Sequence, residues 1–159
     1  MKSRHSSWTN HDRLPDGGFA LSSSERKKLR KLTDKESRSE QEWHEIQYML
    51  KDISLFSIRP MDERLSKKRC PHGVYQIRRW FKLCLIAFTS PEACMDYAIQ
   101  YELPKVYEAF SIFTFPYSDL VDLADEIHGQ LLIDPLWKHG SRFLLYDSKS
   151  EMLRNVITL

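Results

Sequence analysis

The sequence predicts an α+β fold: a single compact, mainly helical domain over residues 39–159 with a small C-terminal sheet, preceded by a flexible basic arm over residues 1–38. Three observations predict it. Serine caps followed by a glutamate three residues on, then by apolar residues three and four apart, mark helix starts. Short alternating segments bounded by proline and glycine are confined to the last third of the chain. The first twenty-one residues are polar, with a Gly17-Gly18 pair and no apolar periodicity. At 159 residues and 42% hydrophobic content, the chain is long enough for one domain with a substantial core.

In order, residues 1–21 read as a mobile arm in which Trp8 and Phe19 are isolated apolar residues. Ser22 and Glu25 have capping-box spacing and open the stretch 25–32, which offers only Leu29 and Leu32 for burial. Mutual repulsion among its cations predicts partial order. Ser39 and Glu42 form the second box, opening a helix over about 40–53 with Trp43, Ile46, Leu50 and Ile53 on one face. Arg59-Pro60 is a break, because a residue before proline avoids the helical region.

Residues 73–90, GVYQIRRWFKLCLIAFTS, form the most apolar segment. As a helix, Val74, Ile77, Phe81, Cys84, Leu85 and Phe88 make one buried stripe, with Arg78, Arg79 and Lys82 opposite. The β-branched and aromatic content favours a strand. A single strand of that length would far exceed the usual five or six residues, and it would split the two arginines between faces. The spacing therefore predicts a helix over 74–88.

Ser90-Pro91-Glu92 starts a helix to about residue 102, with a cap, a first-turn proline and an acid at the positive dipole end. A shorter helix follows at 105–111. The stretch 97–110 superficially suggests a helix-turn-helix, but its second helix has few donors for bases or phosphates. A strand is expected at 111–115, then a helix capped by Ser118 through His128 and stopped by Gly129. Strands at 130–133 and 142–146 follow, and the apolar tail 151–159 is a last strand or a docking segment.

The charge layout carries the functional expectation. Residues 1–82 hold 19 Lys/Arg against 11 Asp/Glu, and residues 83–159 hold 5 against 11. Such asymmetry points to a polyanion partner for the basic half, or to attraction between the halves within one chain or between copies. Two basic clusters stand out: Arg26, Lys27, Lys28, Arg30 and Lys31, then Arg64, Lys67, Lys68, Arg69, Arg78, Arg79 and Lys82. Tyr75 and Trp80 are interleaved with the second as stacking platforms, while Phe81 reads as core. Cations on phosphates and rings on bases are the ingredients of single-strand binding. Asp119, Asp122, Asp125 and Glu126 form an exposed acidic ladder for a protein partner.

No cofactor or metal is expected. Cys70-Pro71-His72 is one close pair without a second, whereas structural zinc usually takes two. Cys84 reads as a small core residue. No G-x-S-x-G, H-E-x-x-H or phosphate-cradling glycine loop is present, and five glycines leave little material for one. Three unpaired cysteines and the lack of a leading apolar core predict a reduced, intracellular, unsecreted protein.

A mobile basic arm joined to a compact assembly domain is similar in general architecture to viral matrix or accessory proteins, a likeness that carries no motif. The expected function is non-catalytic assembly: binding nucleic acid, nucleocapsid or an anionic membrane through the basic surface, and protein through the acidic one, with self-association compatible with both. One alternative is a regulatory adaptor using helix 118–128 and the apolar C-terminus. Another is a small enzyme with a Cys/His site.

Overall fold

Both capping boxes form, and each starts a helix. In the computed structural model, which describes residues 11–79, 81–100, 110–135 and 140–157, Ser22 Oγ accepts from the Glu25 amide at 3.3 Å and Glu25 Oε1 accepts from the Ser22 amide at 2.8 Å. The resulting helix α1 spans Ser23–Asp34. Ser39 and Glu42 repeat the arrangement and open α2, Glu40–Leu50.

Helix α1 corrects the expectation of a flexible arm. Leu29 is 3% exposed, and Leu32 and Thr33 are buried beside it in the core. Lys28 pairs with Glu45 of α2 at 2.8 Å and Arg30 with Asp34 at 3.2 Å, which relieves the repulsion that argued for disorder. Upstream, β1 (Asp12–Arg13) and β2 (Phe19–Ala20) form a small antiparallel ribbon turning at Gly17, whose φ of 94° suits glycine. His11 Nδ1 lies 2.8 Å from Glu25 Oε1, joining the ribbon to α1. Trp8 lies outside the described residues.

The larger correction concerns residues 74–88. They form a β-hairpin, β4 (Gln76–Arg79) and β5 (Lys82–Ala87), with Arg79 paired to Lys82 across the turn. Splitting the segment resolves the length objection to a strand, since each half then has ordinary length. The turn was hidden because it lacks the Asn-Gly or Asp-Gly signature; Phe81 takes the left-handed position itself, at φ 66°.

Strand β5 sits inside a five-stranded sheet of order β4-β5-β7-β8-β9, with β7 Gln130–Ile133, β8 Arg142–Asp147 and β9 Met152–Ile157. Strands β5 and β7 run parallel and the other pairs antiparallel. The crossover between β5 and β7 carries α4 (Pro91–Gln100), β6 (Phe110–Pro116) and α5 (Tyr117–Glu126). A second antiparallel pair joins β6 to β3 (Ser54–Pro60), and α3 (Glu63–Arg69) follows β3. Residues 105–109 of the expected short helix lie outside the described residues; Phe110 and Ser111 belong to β6.

The chain is therefore mixed α+β and not mainly helical: among the described residues, about 38% are helical and 33% are in strands. Alternation along the central strands explains why. Leu85, Ala87, Leu131 and Ile133 enter a core shared with α1, α2 and α5, whereas Cys84, Ile86, Leu132 and Leu145 enter one shared with β3 and α4. A strand covered on both faces reads as an unbroken apolar run, indistinguishable by pattern from a buried helix. No described helix is long and apolar enough to cross a membrane.

The α5 end also departs from expectation. Its cap residue is Pro116, without a side-chain bond, so Ser118 does not cap it. At the other end His128 takes the left-handed position, φ 54°. The amide of Gly129 donates to the Ala124 carbonyl at 2.8 Å and that of His128 to Asp125 at 3.2 Å, a Schellman closure. Gly129 is required for space: an added Cβ would sit 2.5 Å from the Leu83 carbonyl.

Candidate functional site

The hairpin turn is the most exposed aromatic feature of the described surface. Phe81 is 93% exposed, which overturns its assignment to the core. Around it Arg78 is exposed, Arg79 is half-buried with its guanidinium 5.7 Å from the Phe143 ring centroid, and Lys82 is half-buried. Lys82 Nζ lies 3.8 Å from Asp147 Oδ2, to which Arg154 also donates at 2.9 Å. Burial pushes the Asp147 carboxyl up, but the Lys149 amide, Lys82, Gln130 and Arg154 outweigh it and hold its pKa below the usual value.

The expected platforms fare differently. Tyr75 is 5% exposed within the apolar core beside β3 and cannot receive a base. Trp80 lies outside the described residues. The cations expected to act with the hairpin, Arg64, Lys67, Lys68 and Arg69, belong to α3. Helix α3 leads into the start of β4 and the turn lies at its end, so the two groups are separated by ~13 Å of strand. Lys67 approaches Glu63 at 3.7 Å, a pair too exposed to count for much. Arg64, Lys68, Arg69 and Arg78 have no acidic partner among the described residues.

The α1 cluster is spent largely on the protein itself. Arg26 donates to the Leu21 carbonyl at 2.8 Å, Lys28 is paired with Glu45, and Arg30 bonds the Arg142 carbonyl as well as Asp34. Lys27 and Lys31 are exposed. In the acidic ladder Asp119, Asp122 and Glu126 are exposed, while Asp125 accepts from the Tyr146 hydroxyl at 2.8 Å.

One constellation had no counterpart in the sequence reading. At the carboxyl ends of β5 and β7, Asp134 Oδ1 accepts from the Thr89 amide at 2.8 Å and Oδ2 from the Thr89 hydroxyl at 2.7 Å. Asp134 adopts φ 55°, a region aspartate tolerates better than most residues. Desolvation raises its pKa against the opposing Thr89 bonds and the charges of Arg30 and Arg26. Above it opens a cavity of about 310 Å³ whose walls include Arg26, Lys27 and Arg30 of α1. Asp134-Pro135 was legible only as a connection between strands; its partner Thr89 is forty-five residues away.

The thiols are inert by environment. Cys70, Cys84 and Cys94 are free and buried. Burial pushes their pKa values up to about 11, 11 and 12. Among the described residues no group of three or more His, Cys, Asp or Glu is placed to hold a metal ion.

No protein-family model matches this chain, nor does any curated protein or solved structure.

Proposed function

We propose that this protein is a non-catalytic binder of single-stranded nucleic acid, engaging it through the β4–β5 turn and the cationic α3. The observation that supports the reading is Phe81: a large ring 93% exposed in a left-handed turn, with Arg78, Arg79 and Lys82 within three residues of it. Phe81 takes the left-handed position of the turn and leaves its ring in water, where it can stack a base while the exposed Arg78 takes a phosphate. Stacking there depends on Phe81 rather than on Tyr75. The exposed acids of α5, Asp119, Asp122 and Glu126, are the matching surface for a basic protein partner or a second copy.

The test is binding of a labelled single-stranded RNA across a salt series, with anionic and neutral vesicles as parallel arms. RNA affinity falls steeply with salt, and Phe81→Ala weakens it by ~1–3 kcal/mol without a change in stability. Arg78→Gln lowers the salt slope by about one. Binding to anionic vesicles with none to RNA would replace the nucleic acid by a membrane. Salt-independent RNA binding would remove the proposal.

A further inference from the structure

We infer that the cavity at the carboxyl ends of β5 and β7 is a site for a small phosphomonoester bearing hydroxyl groups, with Arg26 and Lys27 holding the phosphate and Asp134 accepting from a hydroxyl. Three independent features converge on it. The first is position: among the described strands of the sheet only β5 and β7 run parallel, and in open α/β sheets ligands sit beyond the carboxyl ends of parallel strands. The second is shape and lining. A volume of about 310 Å³ lies at the lower end of the range for small-molecule pockets, roughly 300–1,000 Å³. Leu29, Ala93, Ile133 and Leu144 supply apolar wall, leaving a few convergent polar groups to orient a ligand.

The third is charge. Arg30 is committed to Asp34 and to the Arg142 carbonyl, so it contributes field but not a free contact. Arg26 uses one guanidinium nitrogen on the Leu21 carbonyl and keeps its remaining donors. Lys27 is exposed at the rim, and neither has an acidic partner among the described residues. Two such cations match a phosphomonoester, which carries about −1.5 to −2 near neutral pH. Deeper in, each Asp134 oxygen accepts one bond from Thr89 and has a second acceptor site, which a ligand hydroxyl fills. The left-handed backbone at Asp134 fixes that carboxylate beside Thr89. This site lies at the opposite end of β5 from Phe81, so it is separate from the nucleic-acid surface proposed above.

The experiment titrates the full chain with ribose 5-phosphate, AMP, inorganic phosphate and ribose at constant ionic strength, following amide shifts and melting temperature. At least one phosphate ester binds saturably and more tightly than inorganic phosphate, and ribose alone does not bind. Lys27→Gln, at an exposed position, leaves the melting temperature unchanged and weakens the ester about tenfold, the loss of one charged contact. Asp134→Asn removes the advantage of ester over inorganic phosphate; should that variant not fold, the ester-to-phosphate ratio of the unaltered protein decides the point. Phe81→Ala leaves ester binding intact, so loss of RNA binding and loss of ester binding are read separately. No saturable binding of either ester at millimolar concentration, or equal affinity in Lys27→Gln, overturns the inference.

Discussion

Residues 26–31 and 64–82 look alike as text, each a crowd of lysine and arginine around a few apolar positions. The fold treats them differently. The first lies on a helix docked by Leu29 and Leu32, its cations other than the exposed Lys31 turned onto carbonyls, onto Glu45 and Asp34, or over a concave pocket. The second is divided between a short helix and a convex turn, where Arg64, Lys68, Arg69 and Arg78 face no acid among the described residues. Cation density by itself thus does not define a binding surface. Where the neighbouring apolar side chains must go decides whether the charges point inward, to other parts of the chain, or outward.

Magnitudes show which interaction holds the first stretch in place. An exposed pair such as Lys28–Glu45 is worth ~0–1 kcal/mol, whereas each buried leucine contributes ~1.5–3 kcal/mol. The sharpest way to break the comparison is therefore Leu29→Ala. It should cost ~2–5 kcal/mol in denaturant unfolding, as expected of a core position. A loss below ~1 kcal/mol would return residues 23–34 to the status of an arm.

A second test acts where the two regimes meet, at Lys82, which faces the buried carboxylate of Asp147. With its pKa depressed, the Asp147 carboxylate contributes stability that is present above the ordinary aspartate value of 3.8 and lost as pH falls through the lower folded value. Asp147→Asn should flatten that acid limb of the stability curve. It should also free Lys82 and Arg154, so RNA affinity at neutral pH rises or holds; a drop would mean the hairpin end is ordered by Asp147. The smallest effect expected is Phe81→Gly, which relieves the left-handed backbone and leaves stability the same or higher by ~1 kcal/mol. A clear loss of stability would mean that the Phe81 ring packs in solution, contrary to its exposure here.

Of the four expected serine caps, those at Ser22, Ser39 and Ser90 form and that at Ser118 does not. The helix starts at Ser22, Ser39 and Ser90 depend on one side chain and an amide three residues away. The strands at 130–133 and 142–147 stand between turn residues that mark them. The strand at 54–60 carries no alternation to mark it in the sequence, since all of its residues but Arg59 are buried. Tyr75 and Phe81 occupy each other's expected environments, because Phe81 falls in the turn between β4 and β5, outside either strand face, while Tyr75 precedes β4 and is buried in the core beside β3.

The sequence by itself determined the caps at Ser22, Ser39 and Ser90, each written in one side chain and an amide three residues on, and the charge asymmetry between its two halves. Tertiary structure alone decided that 76–87 folds back as a hairpin, that Phe81 stands in water while Tyr75 does not, and that Thr89 meets Asp134 under the α1 arginines. The physical reason is pairing at a distance. Parallel alignment of β5 with β7 brings together residues forty-five positions apart, and no local propensity or spacing encodes which strand will lie beside which.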